Sequence, residues 1–113
     1  MSEPPITFRA RVRMSATGDP VLVSTRGQWR SAVDFYINAA SFGAAVFTLW
    51  AVTGSVRVPV ATFSRLATDT TSTFHFHFSG YGSEGWEVSG HLASGPDDTV
   101  TNSAYLVASG VSP

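Results

Sequence analysis

Residues 73–93, TFHFHFSGYGSEGWEVSGHLA, carry the clearest structural signal in the chain. Three phenylalanines alternate with two histidines over residues 74–78, and this period of two is typical of a β-strand with one apolar face. A glycine-rich stretch follows, and a second alternation of apolar and polar residues covers residues 86–92. Two such runs around a glycine-rich connection predict a β-hairpin. The stretch therefore predicts a fold built from short amphipathic strands.

The predicted hairpin places its apolar residues in the core and its histidines on the opposite face. If Phe78 faces Trp86, then His77 lies opposite Glu87, and the same register brings all three histidines of the chain to one face. The other face is predicted to form the heart of the core. Its members are Phe74, Phe76, Phe78, Trp86 and Val88.

The shared face makes the histidines a candidate metal site. Histidines two residues apart on a strand point the same way, and a third imidazole can complete a zinc site. The candidate ligands are His75, His77, His91 and Glu87. In the predicted register His91 lies two pairing steps from His77, and a cross-strand pair between His77 and Glu87 explains the same pattern. We therefore expect no tightly bound metal and no other cofactor, although a bulge at Gly90 would favour the site.

The composition bounds the class of protein. A chain of 113 residues can bury one core, so we expect a single domain over residues 1–113, with an extended leader at residues 1–5. The chain has no cysteine, which excludes disulfides and thiolate chemistry within it. No apolar stretch approaches the ~18 residues of a membrane span, and the first residues lack the apolar segment of a secretion signal. We therefore expect no membrane contact and a cytoplasmic or virion-associated protein.

Six further strands are predicted by the same alternation, at a spacing of roughly 8–12 residues that is typical of sandwiches and barrels. The run from Ala45 to Thr53 is apolar on both faces and predicts a central strand. Pro59 cannot donate a backbone hydrogen bond, so its strand is expected at an edge. We predict an all-β, antiparallel β-sandwich of about eight strands with jelly-roll or Greek-key topology, and a closed barrel is the alternative. The six strands cover residues 6–14, 20–26, 32–38, 45–53, 56–63 and 99–109, with at most a short helical turn at 39–45.

Three arginines share the polar face of the first strand, because Arg9, Arg11 and Arg13 alternate with apolar residues. Like charges at this spacing repel, so we expect an acidic partner. Residues 1–30 hold five arginines against two acids, whereas residues 31–113 hold two arginines against six acids. The acidic remainder favours carboxylates of the chain or of a second subunit over nucleic-acid phosphates.

The sequence offers no catalytic set. It contains no G-x-S-x-G motif and no glycine-rich phosphate loop that opens a helix. Asp97 and Asp98 are adjacent, so on an extended chain they would face opposite ways instead of forming an acid–base pair. We therefore expect a protein that is not an enzyme.

Three aromatic residues beside predicted loops, Trp29, Tyr81 and Trp86, are candidates for a sugar-binding surface. The competing interpretation places Trp86 in the core and Trp29 as a plug at one end of the sandwich. A small carbohydrate-binding module, with a glycan as its partner, is therefore one alternative function, and a metal-binding protein that uses the histidines is another.

The favoured function is a structural subunit of a homo-oligomeric assembly, such as a virion coat, decoration or tail component, or a filament. The basic N-terminal third and the acidic remainder are complementary, which suits head-to-tail contacts between subunits. The strand at 45–53 also has more apolar surface than one small core easily covers.

Overall fold

The alternation of apolar and polar side chains sets the strands of this protein. The computed structural model describes residues 4–25, 30–80 and 84–110, and this part of the chain contains eight strands and no helix. No helix in it is therefore long and apolar enough to cross a membrane. The strands are β1 (Ile6–Val12), β2 (Val21–Ser24), β3 (Ala32–Asn38), β4 (Ala45–Thr53), β5 (Val56–Arg65), β6 (Thr73–Ser79), β7 (Gly85–Leu92) and β8 (Asn102–Ser109).

The eight strands form two antiparallel sheets that pack face to face. Sheet A has the order β1-β8-β3-β6, and sheet B has the order β2-β7-β4-β5. Only β4 and β5 are consecutive strands of one sheet, and every other connection between consecutive strands passes from one sheet to the other. This arrangement is the eight-stranded jelly roll. The predicted sandwich is confirmed, and the alternative of a closed barrel is wrong.

The predicted hairpin over residues 73–93 is wrong, because β6 and β7 lie in different sheets. β6 pairs with β3, whereas β7 pairs with β2 and β4. The predicted inward faces are nevertheless correct, because Phe78 meets Trp86 across the core with ring centroids 5.7 Å apart. Alternation tells which face of a strand is buried, but it carries no information about the neighbouring strand.

The positions predicted for two other strands are confirmed. β4 lies between β7 and β5, and β5, which contains Pro59, is an edge strand. The two strands are joined by Gly54 and Ser55, and Gly54 has a φ of 60°. A glycine in the left-handed region at the first position of a two-residue loop is typical of the type II′ hairpin turn. The stretch at 39–45, where at most a short helical turn was expected, contains a turn at residues 40 and 41 and no helix.

The core lies between the inner faces of the two sheets. Phe76, Trp86 and Val88 are buried as predicted, whereas Phe74 and Phe78 are half-buried and pack against the core. The largest fully buried side chains from the other strands and loops are Met14, Val33, Phe35, Ile37, Phe47, Leu49 and Leu106.

Gly90 has a packing role in β7. It pairs with Phe47 in an unbroken register, and a Cβ atom at this position would lie 2.7 Å from Phe47 Cδ1 and 3.0 Å from Leu22 Cδ1. The bulge considered at Gly90 is therefore absent from the pairing with β4. The register shifts that the described residues contain lie between Val21 and Val23 and between Leu49 and Trp50.

Arg65, the last residue of β5, links the loop between β3 and β4 to the loop between β5 and β6. Its Nη1 donates to the carbonyl oxygens of Phe42 at 2.6 Å and Gly43 at 2.8 Å, and its Nη2 donates to those of Asp69 at 3.0 Å and Thr71 at 3.3 Å. One buried guanidinium thus satisfies four loop carbonyls, which would otherwise need water.

Candidate functional site

The outer face of sheet A carries a row of four side chains that crosses all four strands. Arg9 of β1 pairs with Tyr105 of β8, Tyr105 pairs with Tyr36 of β3, and Tyr36 pairs with His75 of β6. The guanidinium of Arg9 lies over the Tyr105 ring, 5.5 Å from its centroid. The Tyr36 and His75 rings are stacked at a centroid distance of 4.4 Å. We call these four residues the transverse row.

The transverse row does not form the flat platform on which a sugar ring stacks. Arg9 covers one face of Tyr105, and His75 covers one face of Tyr36. Rings that stack between neighbouring strands stand upright on the sheet, so they present edges to an incoming ligand instead of faces. These two tyrosines therefore give no support to carbohydrate binding.

The aromatic residues predicted for sugar binding are not brought together either. Trp86 is 1% exposed and belongs to the core, where its indole Nε1 donates to the Arg30 carbonyl oxygen at 3.1 Å. Trp29 and Tyr81 lie outside the described residues. Trp86 cannot contact a ligand at the surface, so it is removed as a binding candidate.

Arg9 and Arg11 are exposed on β1 and flank a groove of about 200 Å³. Ser103 and Tyr105, which pair with these arginines on β8, form its floor. Within residues 4–25, 30–80 and 84–110, no carboxylate lies within 4.0 Å of either guanidinium. The groove therefore offers two cationic groups and two hydroxyls to a partner outside the described chain.

Arg13 lies beyond the end of β1 and acts on a different site. It is one of the groups that influence Asp98, which is largely buried. Burial alone would raise the pKa of Asp98, but hydrogen bonds from Asn102, Val100 and Ser41, together with the charge of Arg13, lower it below the usual carboxyl value. The charge of Arg13 thus acts on a carboxylate of the chain, whereas Arg9 and Arg11 have no described carboxylate within 4.0 Å.

Asp98 also lines a second cavity, of about 340 Å³, at one end of the sandwich. Its Oδ2 accepts hydrogen bonds from Ser41 Oγ at 2.8 Å and Asn102 Nδ2 at 2.9 Å, and its Oδ1 accepts one from the Val100 N–H at 2.9 Å. A carboxylate whose two oxygens already receive three donors has little capacity left for a ligand. The network fixes the loop that leads into β8.

Two of the three histidines meet a carboxylate that the sequence did not single out. His75 Nε2 and His77 Nδ1 lie 2.8 Å and 3.0 Å from the same oxygen, Oδ1 of Asp34 on β3. Both histidines are exposed on the outer face of sheet A. The predicted partner of His77, Glu87, lies in the other sheet.

The third histidine belongs to the outer face of sheet B. His91 Nδ1 lies 2.8 Å from Asp19 Oδ1, and Ser89 Oγ donates to Asp19 Oδ2 at 2.6 Å. Trp50 Nε1 donates to Ser89 Oγ at 2.8 Å. Serine and histidine thus contact opposite oxygens of one aspartate, so the imidazole is not placed to take the serine proton as a triad requires.

Glu87 is buried on the same outer face, with an exposed side-chain fraction of 4%. Its Oε2 lies 3.6 Å from Arg57 Nη1, and the Arg57 guanidinium covers the Trp50 ring at 4.1 Å from the centroid. Arg57 therefore contacts a carboxylate and an indole at once. Glu87 does not pair with His77, which lies on the other sheet.

The candidate metal ligands are consequently divided between the two sheets. His75 and His77 lie on sheet A, whereas His91 and Glu87 lie on sheet B. Among the residues that the structure describes, no group of three or more histidine, aspartate and glutamate side chains could hold a metal ion.

The first half of β5 is the most exposed apolar segment of the described chain. All five residues from 56 to 60 are exposed, and Val56, Val58 and Val60 have exposed fractions of 61%, 54% and 38%. The second half of the strand turns inward, because Phe63 stacks on Phe76 of the opposite sheet at 3.8 Å. This surface was not among the predicted sites, although valines that alternate with Arg57 and Pro59 are a recognisable signal for it.

Comparison with known proteins gives a shared fold and no family. No protein-family model and no curated protein matches the sequence. The chain is similar to a solved structure of Bacillus endospore appendages, which form a family of disulfide-linked pili. The match has a TM-score of 0.55 and 9% sequence identity, and it covers 96% of this chain and 88% of the other.

Proposed function

We propose that this chain is a non-enzymatic structural subunit that assembles with copies of itself. The exposed half of β5 carries the proposal, because it combines the open edge of a sheet with three exposed valines. An edge strand with apolar side chains is a template for another chain, and soluble proteins usually cover or charge such edges. A second copy is the occupant that requires no further partner.

The contact at this edge is expected to use side chains more than backbone. Pro59 lies in the middle of the exposed segment and removes one backbone donor, which interrupts a continuous ladder with an added strand. The valines can still pack against an apolar surface. Burial of each exposed valine would contribute on the order of 1 kcal/mol to association.

The form of the assembly follows from the two unlike sides of the sandwich. β5 faces β6 through the Phe63–Phe76 stack, and β1 lies at the far end of sheet A from β6. The exposed half of β5 and strand β1, which carries Arg9 and Arg11, therefore lie on opposite sides of the sandwich. Contacts between unlike surfaces produce rings or open filaments, so a filament is favoured over a closed virion shell.

Two further observations support this proposal. The similar structure, whose fold this chain shares, belongs to appendages that form pili. The Ser89–Asp19–His91 arrangement also lacks the order that nucleophilic catalysis needs, which agrees with a non-enzymatic role.

Solution size tests the proposal directly. Light scattering and negative-stain microscopy of the untagged protein at micromolar concentration should show species much larger than a monomer. Val58→Glu should reduce them to monomers, because it places a charge on the apolar edge. Val100→Glu, at a valine that is 50% exposed away from β5, is the matched control and should assemble normally. A wild-type protein that stays monomeric at micromolar concentration would overturn the proposal.

A further inference from the structure

We infer that the groove between Arg9 and Arg11 receives the carboxylate of Glu84 from a second copy of the chain. The inference rests on the proposed function and names the charged contact of the assembly. It assigns a binding site to strand β1 and names the Glu84 carboxylate as the group that fills it.

The groove has the chemistry of a carboxylate site. Alternate residues on an antiparallel strand are about 6.8 Å apart, so Arg9 and Arg11 flank one small anion between them. Guanidinium groups bind carboxylates through paired N–H donors, and the hydroxyls of Ser103 and Tyr105 add donors at the floor. The cation–π contact with Tyr105 holds Arg9 in place without neutralising its charge.

Glu84 is the carboxylate best placed to fill the groove. It is half-buried just before β7, and one of its oxygens accepts a hydrogen bond from the N–H of Gly54 in the β4–β5 turn. That turn leads directly into Val56, the first residue of the exposed half of β5. Glu84 therefore lies beside the apolar edge, so one contact can bury both.

The other carboxylates of the described residues have partners that make them poorer candidates. Three form close contacts with histidine or arginine side chains, and Asp69 accepts two hydrogen bonds from Thr71 and is influenced by the charge of Arg65. Asp97 accepts hydrogen bonds from the Ser15 hydroxyl at 3.0 Å and the Ala16 N–H at 3.1 Å, away from β5. The three are Asp19 with His91, Asp34 with His75 and His77, and Glu87 with Arg57, whereas Asp98 already receives three hydrogen bonds.

A single carboxylate suits this groove better than a polyanion. Of the described residues that line it, only Arg9 and Arg11 are charged, and Asp34 lies on the same outer face of sheet A, two strands away. Nucleic acid needs a wider basic surface, because its affinity comes from several phosphates neutralised together. The local charge therefore favours a protein carboxylate.

A charge-reversal experiment tests the contact. The Arg9→Glu/Arg11→Glu variant and the Glu84→Arg variant should each remain monomeric, since each places like charges in the contact. An equimolar mixture of the two should assemble, because both the reversed pair and the native pair can then form between alternating copies. Asp97→Arg is the matched control, and it should assemble alone. When Asp97→Arg is mixed with the Arg9→Glu/Arg11→Glu variant, the latter should remain unassembled.

The outcomes separate this inference from the proposed function. The Glu84 contact is wrong if the Arg9→Glu/Arg11→Glu variant assembles as the wild type does. It is also wrong if the mixture with Glu84→Arg stays monomeric while circular dichroism shows that both variants are folded. In either case the proposed self-assembly stands. If the wild type is monomeric, the proposed function fails as well. Nucleic acid that copurifies with the wild type and is lost in Arg9→Gln/Arg11→Gln, with assembly unchanged, would replace the carboxylate with phosphate as the ligand.

Discussion

The ring of Phe63 lies flat against that of Phe76, with centroids 3.8 Å apart and an angle of 5° between the rings. Phe63 belongs to β5 in sheet B and Phe76 to β6 in sheet A, so the pair closes the sandwich on the side where both sheets end. Phe76 also contacts Phe35 at a centroid distance of 5.1 Å. The stack marks the point where β5 leaves the core and becomes exposed.

Phe76→Ala should lower the free energy of unfolding by ~3–5 kcal/mol, the range for a buried phenylalanine. The loss combines the apolar burial with a cavity between the two edge strands. His77→Ala, at an exposed neighbour on the same strand, is the control and should cost below about 1 kcal/mol. Urea titration measures both, and a loss of less than about 1 kcal/mol for Phe76→Ala would contradict the buried position.

Gly90→Ala should destabilise the fold by about 1–3 kcal/mol, because a Cβ at this position would overlap the Phe47 ring. An aromatic ring held in the core cannot move aside as a flexible side-chain end could. Gly43→Ala is the matched control, since a Cβ there has no neighbour within 4 Å. Equal thermal midpoints for the two variants would show that Phe47 can shift freely.

Arg65→Lys should destabilise the protein by about 1–3 kcal/mol although it preserves the charge. An ammonium group cannot reach four carbonyls arranged around a planar guanidinium, so buried acceptors lose their donors. Hydrogen exchange should rise first in the loops at 39–44 and 66–72. An unchanged exchange pattern would mean that water replaces the arginine.

Asp98 should make stability depend on pH in acid. Its folded-state pKa lies below the usual carboxyl value, so the ionised group stabilises the fold above a pH of about 4, and this contribution is lost as the pH falls through the folded-state pKa. The difference in unfolding free energy between wild type and Asp98→Asn should be about 1–3 kcal/mol at pH 6 and should shrink towards pH 3. A difference that stays constant over this range would speak against the lowered pKa.

Protein purified without an affinity tag or chelator should contain no stoichiometric zinc, because the three histidines are divided between two sheets. Elemental analysis checks this expectation. One equivalent of zinc that disappears in the His75→Ala/His77→Ala variant would reverse it and would require Asp34 to turn towards a shared ion.

The buried faces could be predicted from the sequence because alternation reports them directly. Phe76 and Trp86 are buried as their positions indicated, and Pro59 correctly identified an edge strand. The period-two pattern depends only on which neighbours along one strand are apolar. It therefore survives even where the pairing of strands is predicted wrongly.

The strand partners and the polar contacts could not be predicted in the same way. The glycine-rich connection after Ser79 was expected to return within one sheet, but it leads to the opposite sheet. Asp34 and Asp19 approach the histidines from strands or loops 41 and 72 residues away in sequence. No local pattern encodes contacts of that range, so the candidate site changed while the core did not.

The pairing of β1 with β8 has a consequence for how this protein is made. Among the described residues β1 has no other partner in its sheet, and residue 6 pairs with residue 108, so β1 cannot pair before β8 has been made. Folds dominated by such distant pairings have high contact order and refold in milliseconds to seconds. On the ribosome, the arginine-bearing strand should stay unpaired until β8 emerges. If the chain assembles with copies of itself as proposed, its Arg9–Arg11 groove would be complete only after β8 has been made, because Ser103 and Tyr105 of β8 line it.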